Sequence, residues 1–181
     1  MSWNTFHNRG EILRDVVQVA NDRRDGVLPM GVPGVAENFT DELDLVGALL
    51  LSWHARLSGN LERAMATEPM DLESAVASAW RTTADEMPGV RMIIDRSTEA
   101  PATPEMGRAL SHAHDRETAY LAVAAGLSNG YGAAAVAAGR HVEQLARTGL
   151  AVPQVQEPLL RTEPDAPKES FADRIRAVLA A

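Results

Sequence analysis

The chain predicts an all-α protein: an up-down helical bundle of four to five main helices, followed by a short C-terminal amphipathic helix. Three observations carry that expectation. Apolar residues recur at three- and four-residue spacing through most of the chain up to about residue 150. Aromatic residues make up only 4%, and no segment shows sustained alternation with turn chemistry at both ends, so strand signals are weak. Helix starts are marked by capping side chains, proline at the first helical position and acids in the first turn.

The first helix is expected from His7 to about Arg24, with Ile12, Leu13, Val16, Val17 and Ala20 as its apolar face. Gly26–Glu37 holds Pro29, Pro33 and several glycines and reads as an ordered loop. Asn38 or Thr40 caps a long second helix, about Thr40 to Met65, with Asp41 and Glu42 favouring the positive end of its dipole. Leu43, Leu50, Leu57, Leu61 and Met65 fall on one stripe of it, and His54 lies on that stripe. Asp71 caps a third helix to about Met87, whose inward face is Leu72, Val76, Ala79, Trp80 and Thr83. Pro88–Gly89 stops or kinks it, and Val90–Arg96 resumes as helix because Val90, Ile93 and Ile94 need burial. Thr103–Pro104–Glu105 opens a fourth helix to about Leu127. Ser128–Gly132 is a turn, and a fifth helix runs from about Ala133 to Arg147 with Ala135, Ala138, Val142 and Leu145 on one side.

Residues 1–150 are therefore expected to form the bundle. Prolines at 153, 158, 164 and 167 make 151–168 an extended linker. Residues 169–181 form an amphipathic helix with Phe171, Ile175, Val178 and Leu179 on one face. A helix that short is marginal alone, so it docks in cis or on a neighbouring subunit.

Composition bounds the function. The 181 residues suit one domain, 45% are hydrophobic, and a sizeable core can form. With no cysteine, disulfides, thiolate metal sites and cysteine nucleophiles are excluded. The net charge of −8, with Arg23–Arg24 the only adjacent basic pair, argues against nucleic acid as partner. The first residues lack the charged start and apolar run of a signal peptide. The longest apolar stretches, such as Val46–Leu51, are too short to span a bilayer. A soluble, cytoplasmic protein with no membrane partner is expected. Lys168 is the sole lysine against many arginines, the codon bias of a GC-rich bacterial genome.

Four features invite a chemical reading. His54, on a buried face, needs a carboxylate, carbonyl, water or metal as partner. His114 and Glu117, three residues apart on the fourth helix, are surface neighbours there. Across a bundle core His54, His114 and Glu117 make a ligand set for Zn, Fe or Mn. Against this, no Glu-x-x-His or His-x-x-x-His occurs, and a His114–Glu117 surface pair with His54 satisfied in the core explains the same residues. Gly126-Leu127-Ser128-Asn129-Gly130 fits G-x-S-x-G, but the motif needs a strand-to-helix turn, and here a helix precedes it. Asn38-Phe39-Thr40 is a glycosylation sequon that reads as a helix cap, and His7/Glu11 is a first-turn surface pair. His112 and His141 sit at stripe edges.

Trp53, Trp80 and Tyr120 are expected at helix contacts, each needing a partner for its polar atom. A pocket lined by these rings, with His54 at its base, suits a small apolar ligand. Leu49, Leu50 and Leu51, with Leu45, Trp53 and Leu57, spread apolar surface around the second helix, which must then be central or sit at an interface. The leading expectation is a non-enzymatic interaction or assembly module, a homodimer, with no cofactor and no assigned catalytic residue. The alternative is a metal-dependent or ligand-binding bundle built on His54, His114 and Glu117.

Overall fold

The computed structural model describes residues 3–149, with side chains from residue 8 onward. The linker 151–168, the tail helix 169–181 and the His7 side chain lie outside the described residues. Among the described residues the fold is all-helical, as the periodicity requires: α1 (Trp3–Arg23), α2 (Val35–Asn38), α3 (Glu42–Thr67), α4 (Leu72–Glu86), α5 (Pro88–Glu99), α6 (Pro104–Ala124) and α7 (Ala133–Thr148). The count exceeds the expected five for two reasons. Pro88 occupies the first turn of a separate helix, α5, rather than a kink. The proline- and glycine-rich loop also contains one helical turn, α2, entered through Gly34 at a positive φ of 86°.

Side-chain caps set most helix starts. Asp41, rather than Asn38 or Thr40, caps α3 by accepting from the Asp44 amide at 2.8 Å. Asn38 instead closes α2 by donating to the Gly34 carbonyl. Asp71 accepts from the Ser74 amide and Thr103 from the Met106 amide, starting α4 and α6 where expected.

The main core gathers α1, α3, α4 and α5 with the inner faces of α6 and α7. Sequence neighbours pair, α3 with α4 and α6 with α7, while α1 lies mainly along α5. The buried face of α3 is Leu45, Val46, Ala48, Leu49, Trp53, Leu57, Asn60 and Leu61. This is rotated by about one position from the expected stripe, so Leu43, Leu50 and Met65 are only half-buried and His54 stands at the edge of the buried face. The rotation follows from packing on several sides at once: α3 touches α1, α4, α5 and α6, and the widest apolar arc wins over the narrowest stripe.

Two glycines permit the closest helix contacts. A Cβ on Gly89 would lie 1.8 Å from the Ala20 carbonyl oxygen, where α5 crosses α1. A Cβ on Gly139 would lie 1.6 Å from the Thr118 carbonyl oxygen, where α7 lies on α6. Neither position accepts any side chain while the helices keep this spacing.

No described helix is long and apolar enough to cross a membrane. The Gly126–Gly130 segment follows the end of α6 and turns back toward α7. There the Ser128 hydroxyl is tied to its own loop, donating to the Gly130 carbonyl at 3.0 Å. It stands in a helix-to-helix turn rather than a strand-to-helix elbow.

Candidate functional site

The polar centre of the molecule is one carboxylate, Glu117. In α6 the buried positions Met106, Leu110, Glu117 and Leu121 recur at helical spacing, so the fold carries Glu117 inward with the apolar stripe; it is 3% exposed. A carboxylate there must be matched by donors. Three other helices supply them. Trp53 Nε1 on α3 donates to Oε2 at 3.0 Å. Trp80 Nε1 on α4 donates to Oε1 at 3.2 Å. Arg91 Nη1 on α5 reaches Oε1 at 3.4 Å. His54 Nε2 is the fourth neighbour, 3.1 Å from Oε2. That contact is close without being an aligned hydrogen bond, because the ring N–H is not aimed at the oxygen. A carboxylate offers about four lone-pair positions, and here each oxygen has two neighbours.

The donors are themselves packed together. Trp53 and Trp80 meet edge to face, with centroids 5.6 Å apart and planes at 72°. The Arg91 guanidinium, 8% exposed, lies 4.9 Å from the Trp53 ring centroid and 5.6 Å from that of Trp80.

From Arg91 a ladder of alternating charge runs outward to α7. Arg91 pairs with Asp95 at 2.6 Å, Asp95 with Arg147 at 2.8 Å, and Arg147 with Glu143 at 2.8 Å. Arg147 also lies over the Trp80 ring, 4.8 Å from its centroid. Glu143 ends at His114, 3.7 Å away. The three residues singled out from sequence therefore occupy one network without converging. His54 meets Glu117, while His114 turns to Glu143 at the far end. Among the described residues no three of His, Asp and Glu gather as a metal ion needs. His112 is exposed, and His141 pairs loosely with Glu73 at 3.5 Å on the surface.

Sequence reasoning missed Arg91, Asp95, Glu143 and Arg147. The signal was present: Arg91/Asp95 and Glu143/Arg147 are opposite charges at i, i+4, and each pair is interleaved with apolar residues, Val90, Ile93 and Ile94 in one case and Val142, Leu145 and Ala146 in the other.

Asp95 is the carboxyl through which the ladder joins α5 to α7. Burial alone would raise its carboxyl, but hydrogen bonds from Arg147 and the charge and hydrogen bonds of Arg91 outweigh burial and hold it below the ordinary 3.8. At the edge of the fold, Arg9 and the Thr40 amide lower Asp44, and Arg56 with Asn60 lowers Glu86. Carboxyls with depressed folded pKa values contribute stability that is complete above the unfolded value and lost as pH falls through the folded one. The urea midpoint is thus expected to hold flat from pH 7 to about 5 and to fall below about pH 4. Asp95→Asn is expected to lower the plateau and flatten the acid limb. An acid limb unchanged in that variant would remove Asp95 from the account.

Two hollows flank these elements. A polar cleft of about 350 Å³ lies between α5, α6 and α7, lined by Arg91, Asp95, His114, Arg140, Glu143 and Arg147 among others. A larger, mainly apolar groove of about 600 Å³ separates α1 from α3, lined by Arg9, Gly10, Leu13, Gly47, Ala48 and Leu51 among others. Neither is the ring-lined pocket expected from sequence: Trp53 and Trp80 are buried against each other and Glu117, and Tyr120 lies beside Ser58, with their hydroxyls 3.5 Å apart.

Compared with protein families, with curated proteins and with solved structures, the chain matches none of them. Among the described residues it is an all-helical bundle whose central carboxylate is met from three other helices, beside an apolar groove between α1 and α3.

Proposed function

We propose that the protein is an interaction and assembly module that acts by associating through its folded bundle, and that its polar centre is structural rather than catalytic. The carrying observation is the groove between α1 and α3. Leu51, on its lip, is 74% exposed while Leu49, two residues before it, is fully buried. Among the described residues the apolar arc of α3 is thus wider than its neighbours cover, and its exposed part borders a hollow of about 600 Å³. Glu117 supports the structural reading of the polar centre. Its oxygens already face two indoles, a guanidinium and an imidazole, so a substrate or ion would have to displace one of them. The test is light scattering on the eluting full-length protein across roughly a hundredfold in concentration. A mass of twice the 19.5 kDa chain is the expected result. A monomer at the highest concentration overturns the reading.

A second reading keeps His54, His114 and Glu117 as part of a Zn, Fe or Mn site. One observation favours it: the buried His54 Nε2 lacks an aligned hydrogen bond while standing 3.1 Å from a carboxylate oxygen. A metal bridging the two would need further ligands, and His114 faces Glu143 in this arrangement. Elemental analysis of chelator-free protein decides it. Near-stoichiometric metal that disappears in His54→Ala supports the site, and metal-free protein with unchanged mass removes it.

A further inference from the structure

We infer that Asn129, in the turn between α6 and α7, is a self-modifying site. The backbone nitrogen of Gly130 attacks its carboxamide and converts it to aspartate or isoaspartate without an enzyme.

The reaction sets its own requirements. The Gly130 nitrogen gives up its proton to solvent and bonds to Asn129 Cγ. The Cγ–Nδ2 bond breaks, and that nitrogen leaves as ammonia. Water then opens the resulting succinimide ring at one of its two carbonyls, giving aspartate from one and isoaspartate from the other. The sum is one water taken up and one ammonia released, with nothing oxidised or reduced. The carboxamide must therefore be unengaged, the attacking nitrogen must not be locked in a helix, and no Cβ should stand beside that nitrogen.

Asn129 meets all three conditions. Asn-Gly occurs once in the sequence, at this turn. The Asn129 side chain is exposed and has no hydrogen-bond partner among the described residues. Neither Asn129 nor Gly130 makes a backbone–backbone hydrogen bond there. The Gly130 N–H has a single contact, donating to Ser128 Oγ at 3.3 Å, beyond the usual range for such a bond. A Cβ at Gly130 would meet nothing within 4 Å, so the chain has room to turn toward the carboxamide.

The other asparagines with described side chains fail the same conditions. Asn21 Oδ1 accepts from the Gly89 and Val90 amides. Asn38 Nδ2 donates to the Gly34 carbonyl, and the nitrogen after it, that of Phe39, donates to the Val35 carbonyl. Asn60 is buried and donates to Thr83 and Glu86. Asn8 lies inside α1, where the following nitrogen belongs to the helix ladder. The fold thus singles out one asparagine.

Each conversion adds one negative charge to a chain of net −8. The charge arrives shortly ahead of Gly132, the cap of α7, a helix start with neither a capping side chain nor an acid in its first turn. The isoaspartate form also routes the backbone through the side-chain carbons and lengthens the turn.

The experiment is a time course on the folded full-length protein at neutral and mildly alkaline pH, read by mass spectrometry of tryptic peptides. The peptide Glu117–Arg140 holds Asn129 as its only side-chain amide, so a gain of a single mass unit in it reports this residue alone. Conversion is expected to be first order and faster at the higher pH. Its rate is expected within about tenfold of that in the same chain unfolded in guanidinium chloride, a barrier difference under about 1.4 kcal/mol. Gly130→Ala is expected to slow it at least about tenfold in the folded protein. Gly130 has no positive φ and open space at its Cβ, so that variant keeps the fold, with circular dichroism and melting temperature unchanged. A folded protein that stays unconverted while the unfolded chain converts overturns the site. So does a Gly130→Ala variant that converts as fast as wild type, or a mass gain spread equally over the peptides of Asn21, Asn38 and Asn60.

Discussion

Replacing Glu117 by alanine is expected to lower the free energy of unfolding by about 3–5 kcal/mol, the range for removing one partner from a buried charge network. The loss has identifiable parts. Arg91, nearly buried, keeps Asp95 but loses the acceptor on its inner side. The indole N–H groups of Trp53 and Trp80 lose the acceptor the structure gives them, in a space closed to water. His54 loses the carboxylate beside it. At roughly 2–4 °C per kcal/mol for a domain of this size, the melting temperature should fall by roughly 6–20 °C. Glu117→Gln should fall between wild type and alanine, near 2 kcal/mol. It keeps one carbonyl acceptor, but its NH₂ group now faces donors. Urea unfolding followed by tryptophan fluorescence is the direct check, because two of the acceptor's three hydrogen-bonding partners are themselves the fluorophores. A loss under about 1 kcal/mol in Glu117→Ala would mean that the donors find other partners, and the four-helix convergence would then not be the structural centre described.

That carboxylate also marks the boundary of what sequence revealed. Helix existence was legible for α1 and for α3 to α7, because each long segment has an apolar period and most have a cap or a proline at the start, whereas the single turn of α2 fell in a stretch read as loop. What one helix cannot reveal is which arc of it meets its neighbours. The expected stripe of α3 was offset by about one residue, which placed His54 at the centre of the buried face rather than at its edge. The spacing of α6 put Glu117 on or beside the inward stripe and left a surface pair with His114 as the simpler reading; the structure buries Glu117 and sets it against His54. The remaining partners were hidden because Trp53, Trp80 and Arg91 lie 64, 37 and 26 residues from Glu117 in the chain, a long-range matching that no local pattern encodes. His114 illustrates the converse. Three residues from Glu117, it was grouped with it by spacing, yet α7 supplies a nearer carboxylate in Glu143.

Gly139→Ala is expected to cost about 3 kcal/mol or more, although alanine is the better helix former by about 1 kcal/mol. The added carbon would stand 1.6 Å from the Thr118 carbonyl oxygen and 2.3 Å from its carbon. Backbone atoms cannot rotate aside as a side chain can, so α7 must move away from α6 by more than an ångström. That movement loosens the small-residue contact of Ala119, Ala122 and Ala135, and it strains the Arg147–Asp95 pairing that ties α7 to α5. Gly89→Ala meets the same obstacle at the Ala20 carbonyl and should be comparably costly. Gly59→Ala is the control. It lies in the same helical environment, its added carbon meets nothing within 4 Å, and it should gain about 0.5–1 kcal/mol. Thermal unfolding of the three variants separates the two uses of glycine in this chain. If Gly139→Ala were as stable as wild type, α6 and α7 would have to sit farther apart than described. The route from α7 through Arg147 and Asp95 to Arg91 and Glu117 would then lose the spacing on which its ion pairs depend.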